Sequence, residues 1–122
     1  MILIVDDNAA MLRGVEAVVR KGGYSTLTAS DPLEALEISH EIYEDINLLL
    51  TDLSMPGIDG VALARQVLAD YPHIRVLLMT ADRQERCSIP SIRKPFRGDD
   101  LLKRISEVFS GPPQLYRDLF PE

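Results

Sequence analysis

Ile2-Leu3-Ile4-Val5-Asp6-Asp7-Asn8 is a run of four apolar residues that stops abruptly at two carboxylates. Apolar side chains at every position, rather than at alternate ones, read as a strand buried on both faces, as in a parallel sheet. Asn8 is suited to cap a helix, on which Met11, Leu12, Val15, Val18 and Val19 fall on one stripe. Gly22-Gly23 closes that helix. The same alternation continues along the chain. Tyr24 to Ala29 reads as a second strand, Ile46 to Thr51 as a third that ends at Asp52, and Ile74 to Met79 as a fourth that ends at Thr80. Between them, Asp31-Pro32-Leu33-Glu34 has a capping residue, a proline at the first helical position and a glutamate at the third. That helix is expected to carry Leu33, Leu36 and Ile38 inward. Asp59-Gly60 starts another, with Val61, Ala64, Val67 and Leu68 inward and Tyr71-Pro72 as its stop. Ser91-Ile92-Arg93 is a candidate fifth strand, and Leu101, Leu102, Ile105, Val108 and Phe109 predict a last helix before Gly111-Pro112-Pro113. Strands alternating with helices make βαβ units around a parallel sheet.

The whole-chain numbers agree with one such domain. The chain has 122 residues, 46% hydrophobic and 26% charged, within the range of globular proteins and outside that of disordered, collagenous or coiled-coil chains. No apolar run is long enough for a transmembrane helix or a signal-peptide core. The single cysteine, Cys87, has no partner for an internal disulfide, and a cytoplasmic location is expected. The net charge of −6 argues against direct binding of nucleic acid. His40 and His73 are too isolated to suggest a metal site.

Polar residues stand where three of the apolar runs stop: Asp6 and Asp7, Asp52, and Thr80. In open α/β sheets the ligand crevice lies outside the carboxyl ends of the strands. Lys94 follows the candidate fifth strand, so three carboxylates, a hydroxyl and an ammonium are expected at one end of the sheet. Taken singly, each has an ordinary reading: a helix cap, a loop acid, a strand end, a solvated charge. Together they suit phosphoryl chemistry. Clustered carboxylates repel and call for a counter-charge, and Mg²⁺ is a hard ion held by carboxylates and phosphate oxygens. A carboxylate can also attack phosphorus to give an acyl phosphate.

At these residues the chain resembles the receiver domains of response regulators in two-component signalling. The matching text is Ile4-Val5-Asp6-Asp7-Asn8, Leu50-Thr51-Asp52-Leu53-Ser54-Met55-Pro56-Gly57-Ile58-Asp59-Gly60, Leu78-Met79-Thr80-Ala81 and Arg93-Lys94-Pro95-Phe96. The resemblance implies a flavodoxin-like, doubly wound α/β fold with five parallel strands in the order 2-1-3-4-5. It implies that Asp52 is the phosphoacceptor, that Asp7, Asp52 and the Ser54 carbonyl hold Mg²⁺ directly and Asp6 through water, and that Thr80, Ala81 and Lys94 surround the phosphoryl group. Ser54 and Asp82 fall where receivers modulate the lifetime of the acyl phosphate. The implied partner is a phosphohistidine donor, either a histidine kinase or a histidine phosphotransfer protein.

Two departures accompany the likeness. Thr80 and Lys94 are too close in sequence for a full helix and the strand after it, which need ~1.5 and ~3.3 Å per residue. The usual helix between the fourth and fifth strands is therefore expected to be absent, or reduced to a turn around residues 82–86, as in shortened stand-alone or hybrid-kinase receivers. Ser91 stands at the position of the family's switch aromatic, so the usual paired movement of threonine and ring cannot operate as such. Residues 1–110 are expected to form the receiver and 111–122 a tail. Leu115, Tyr116, Leu119 and Phe120 of the tail pack on the domain or, alternatively, mediate a homodimer. Two other function classes fit less well. An interaction module with a vestigial site would have lost acids that are present, and an aspartyl phosphohydrolase would carry an acid where Ser54 stands.

Overall fold

The computed structural model describes residues 1–81 and 89–120. Five parallel strands form one sheet in the order β2-β1-β3-β4-β5. They are β1 (Ile2–Val5), β2 (Thr26–Ala29), β3 (Leu48–Asp52), β4 (Arg75–Thr80) and β5 (Ser91–Arg93). The helices are α1 (Ala9–Lys21), α2 (Pro32–Ile42), α3 (Gly60–Asp70), α4 (Gly98–Ser110) and the short α5 (Tyr116–Leu119), with a 3₁₀ turn at Tyr43–Asp45. No helix among the described residues stands between β4 and β5. The turn expected at residues 82–86, and with it Asp82, lies outside the described residues.

The uniformly apolar strands are explained by the two layers that they divide. Ile2, Ile4, Leu48, Leu50, Leu77 and Met79 face Val15 and Val19 of α1 and Leu101, Ile105 and Val108 of α4. The alternate residues Leu3, Val5, Leu49, Val76 and Leu78 face Ala35 of α2 and Leu63, Ala64, Val67 and Leu68 of α3. Each apolar residue of β1, β3 and β4 thus finds an apolar partner whichever way it points, and burying such a side chain contributes roughly 1.5–3 kcal/mol.

Three helices start as their sequences foretell. Asn8, Asp31 and Asp59 accept from the amides of Met11, Glu34 and Ala62 at 3.0, 2.8 and 2.8 Å. Glu34 in turn accepts from the Ser30 amide at 2.7 Å. Other expectations shift. Leu33 is 66% exposed, because the inward stripe of α2 runs through Ala35 and Ser39, with Leu36 and Ile38 on its flanks. Tyr24 precedes β2 and packs its ring against Phe109. β3 takes in Asp52 and β4 takes in Thr80, so both polar residues belong to strands.

β5 is half the length of β4, and a side chain completes the missing pairing. Leu78 donates to the Pro90 carbonyl at 2.9 Å. One rung lower, a longer β5 would have to donate the amide of Pro90 to Val76, and proline has none. The Gln114 carboxamide fills that rung. Its Oε1 accepts from the Val76 amide at 2.6 Å, and its Nε2 donates to the Val76 carbonyl at 3.1 Å. Arg75 fixes the approach by donating from Nη1 to the carbonyls of Val108, Gly111 and Pro112 at 2.8, 3.2 and 2.9 Å. The Val108 carbonyl is one that the end of α4 leaves without an intrahelical partner, and those of Gly111 and Pro112 lie just past that end. Beyond them Leu119 and Phe120 are buried in the α2/α3 layer, with the Arg65 guanidinium 5.1 Å from the Phe120 ring centre. Of the four apolar tail residues, Leu119 and Phe120 pack on this domain, while Leu115 and Tyr116 remain exposed.

Gln114→Ala leaves both Val76 groups unpaired and should lower stability by about 1–3 kcal/mol per stranded group at most. Thermal melts should show Gln114→Glu, which keeps only the acceptor, between wild type and Gln114→Ala.

Candidate functional site

All five strands point the same way, so their carboxyl ends share one edge of the sheet. The registers Val5↔Thr51, Asp52↔Met79 and Thr80↔Arg93 bring Asp6, Asp7, Asp52, Thr80 and Lys94 to that edge. Asp6 and Asp7 follow β1, Asp52 ends β3, Thr80 ends β4 and Lys94 follows β5. The acids foreseen at the strand ends do come together. One carboxylate oxygen each from Asp6, Asp7 and Asp52 lies within 4.8 Å of the others. Asp6 and Asp52 are buried while Asp7 is exposed, which leaves the cluster open on one side.

Hydrogen bonds hold the acids in place. Asp6 Oδ1 accepts from the Asn8 amide at 2.9 Å, so the residue that caps α1 also orients this carboxylate. Lys94 Nζ donates to Asp52 Oδ1 at 2.9 Å and lies 3.5 Å from Asp6 Oδ2. Its amide donates to the Thr80 carbonyl at 2.6 Å, and the Lys94–Pro95 peptide bond is cis. Thr80 is buried, and Ala81 after it is exposed. Ser54 is exposed in the loop that leads from Asp52 to α3. Ser91 heads β5 opposite Leu78, and its carbonyl accepts from Arg104 Nε of α4 at 3.1 Å.

Among the described residues one ammonium faces three carboxylates, a net deficit of positive charge. Two like charges ~4 Å apart repel by about 4 kcal/mol at an effective dielectric of 20. The donor atoms are hard oxygens grouped within 4.8 Å with Asp7 exposed, which fits Mg²⁺, an ion held by carboxylates together with water and phosphate oxygens. Burial raises the Asp6 pKa above the usual aspartate value, and nearby Asp52 adds to the rise, while the Asn8 amide and Lys94 oppose it.

Two residues that hold this edge were not legible as site residues. Thr51, the last residue before Asp52 in β3, donates its hydroxyl to the Asp52 carbonyl at 3.0 Å. Gly60 packs so closely that a Cβ there would stand 2.3 Å from the same carbonyl oxygen. The available signals were a threonine after the three leucines of β3 and a glycine at a helix start, which are common elsewhere.

Asp6 holds its proton to higher pH when folded than when unfolded. Metal-free wild type should therefore lose stability, relative to Asp6→Asn, as pH rises through the interval above the ordinary aspartate value. Melts of both proteins in chelator from about pH 4 to 8 check the sign: the advantage of Asp6→Asn should grow with pH.

Residues 2–106 match the response regulator receiver domain family. The chain is 34% identical over 119 residues to the chemotaxis protein CheY of Pseudomonas aeruginosa, covering 88% of this chain and 94% of that protein. It is 32% identical over 114 residues to the sporulation initiation phosphotransferase F of Bacillus subtilis, covering 87% and 90%. A response regulator receiver domain protein from Clostridium thermocellum superposes with a TM-score of 0.79 at 27% identity, covering 89% of this chain and 93% of that one. No helix among the described residues is long and apolar enough to cross a membrane. The match over residues 2–106, from β1 into α4, makes this chain a member of the response regulator receiver domain family.

Proposed function

We propose that the chain is the phosphoacceptor of a two-component phosphorelay, with Asp52 as the acceptor and a phosphohistidine of a histidine kinase or phosphotransfer protein as the donor. The observation that carries this reading is the contact of Lys94 Nζ with Asp52 Oδ1 inside a cluster of three carboxylates. An Asp52 oxygen attacks phosphorus, the O–P bond forms as the P–N bond to the donor imidazole breaks, and the imidazole leaves with its electron pair and takes up a proton. Phosphoryl transfer needs little covalent help from the protein beyond position and charge. Asp7, Asp52 and the Ser54 carbonyl are assigned to Mg²⁺ directly and Asp6 through water; the ion, when bound, would neutralise the carboxylates and the phosphoryl oxygens. Lys94 and the Thr80 hydroxyl hold phosphoryl oxygens, and the small side chain of Ala81 leaves the approach open.

On this reading the protein modifies itself once per donor and does not turn over a substrate. Residues 1–110 carry the chemistry and 111–122 are a tail to that domain. Ser91 offers no ring to move with Thr80, so a phosphoryl-dependent change in partner binding has to pass through other contacts of β4 and β5. Asp82 keeps its place as a modulator of acyl-phosphate lifetime only by its position after Ala81.

Intact mass after incubation with a small phosphodonor tests the reading. Wild type should gain one phosphoryl group in Mg²⁺ and none in chelator, the adduct should be labile to base, and Asp52→Asn should gain none. Absence of the adduct with both a small donor and phosphohistidine donors would remove the acceptor assignment. Independently, millimolar Mg²⁺ should raise the melting temperature of wild type, because the ion binds the folded state alone, and should raise that of Asp52→Asn less.

A further inference from the structure

Thr51 is wholly buried in the middle of the sheet, with Val5 of β1 and Leu78 of β4 as its register partners. By the alternation along β3 its side chain shares the face of Leu49, in the apolar layer under α2 and α3. A hydroxyl among such neighbours has a desolvation cost that a valine of the same shape would not have. Its hydrogen bond is to the carbonyl of Asp52, the next residue, at 3.0 Å. That carbonyl lies past the last β1–β3 register pair, Val5↔Thr51.

The peptide plane between Asp52 and Leu53 is held at both ends. Its carbonyl accepts from Thr51 Oγ1, and its N–H donates to the Met79 carbonyl of β4 at 2.9 Å. The next plane is tied as well, since the Gly60 amide donates to the Leu53 carbonyl at 2.8 Å. α3 can close to that distance because Gly60 has no Cβ: one would stand 2.3 Å from the Asp52 oxygen that Thr51 grips. The Asp52 carboxylate hangs from one side of this plane and the chain to the Ser54 carbonyl from the other.

We infer that Thr51 is a positioning residue for the acceptor: its hydroxyl locks the Asp52–Leu53 peptide plane and so fixes the Asp52 carboxylate relative to Asp6, Asp7 and Lys94. The inference rests on the acceptor reading of Asp52. Thr51 touches neither phosphoryl donor nor metal; it acts through Asp52. Without the hydroxyl the carbonyl end of the plane is released while its N–H stays tied to Met79, so the plane tilts about the Asp52 Cα–C and Leu53 N–Cα bonds and both the metal ligands and the nucleophile lose alignment.

The experiment compares two pairs of proteins that differ by one hydroxyl each: wild type with Thr51→Val, and Thr51→Ser with Thr51→Ala. The readouts are the rate constant of phosphorylation by a small phosphodonor at saturating Mg²⁺ and the Mg²⁺ midpoint of the thermal shift. Within each pair, loss of the hydroxyl should slow phosphorylation roughly tenfold, inside the hundredfold that a 1 Å misplacement can cost, and should weaken Mg²⁺ binding. Thr51→Val should melt at or above the wild-type temperature, so that rate and stability move in opposite directions. Equal rates and equal Mg²⁺ midpoints within both pairs overturn the inference, as does a rate that follows melting temperature rather than the hydroxyl. A wild type that takes up no phosphoryl group overturns the acceptor reading instead, and the Mg²⁺ midpoints of the same four proteins still decide whether the hydroxyl orders the site.

Discussion

The ammonium of Lys94 reaches carboxylates 88 and 42 residues away in the chain, Asp6 and Asp52. This contact sets the conditions for much of the fold around it. Neighbouring strands are about 4.8 Å apart, so a side chain following β5 has to cross the end of β4 to touch Asp52 on β3. Only a long extended stem spans that distance, and only if β4 ends where it does. The sheet order, the shared direction of the strands and the register between them all bear on this one reach. Without it, three carboxylates gathered at one edge would face each other with no protein cation bonded to them among the described residues.

The arrangement is an unstable balance held by a stable frame. Below the edge, two apolar layers bury the apolar side chains of the three central strands, β1, β3 and β4. At the edge, the same strands present charges that repel, and the burial of Asp6 adds a desolvation cost that raises its pKa. The frame is strong enough to carry this local loss, and the loss is what makes the edge receptive to a divalent ion and a phosphoryl group. Sites of this kind are where local rules are broken while the rest of the chain obeys them.

Much of the frame was legible because it follows from short-range rules. Four-residue apolar runs mark buried strands, and Asn8, Asp31 and Asp59 mark helix starts by their side-chain oxygens. The site was legible too, because Asp6, Asp7, Asp52, Thr80 and Lys94 each stand where a run stops, and a parallel sheet collects such stops at one edge. What escaped depends on contacts remote in sequence. Leu33 fits a helical stripe as well as Ala35 does, and only the neighbouring elements choose between them. Tyr24 looks like a strand residue until Phe109 is beside it. The roles of Gln114 and Thr51 are set by what backbone groups lack nearby, and a missing partner leaves no mark in the local sequence.

The rung that Gln114 fills has a consequence for the solution behaviour of the molecule. A pair of backbone groups exposed on the flank of a sheet is an invitation to a strand from another molecule. Here the invitation arises because Pro90 cannot extend β5, and it is withdrawn by a side chain more than twenty residues further on. Pro112 and Pro113 restrict the path by which that side chain arrives. The spacing from α4 to Gln114 is thus a protection against aggregation written as a length: a single residue added or removed there would put the carboxamide out of step with Val76 and leave the flank of the sheet open to its neighbours.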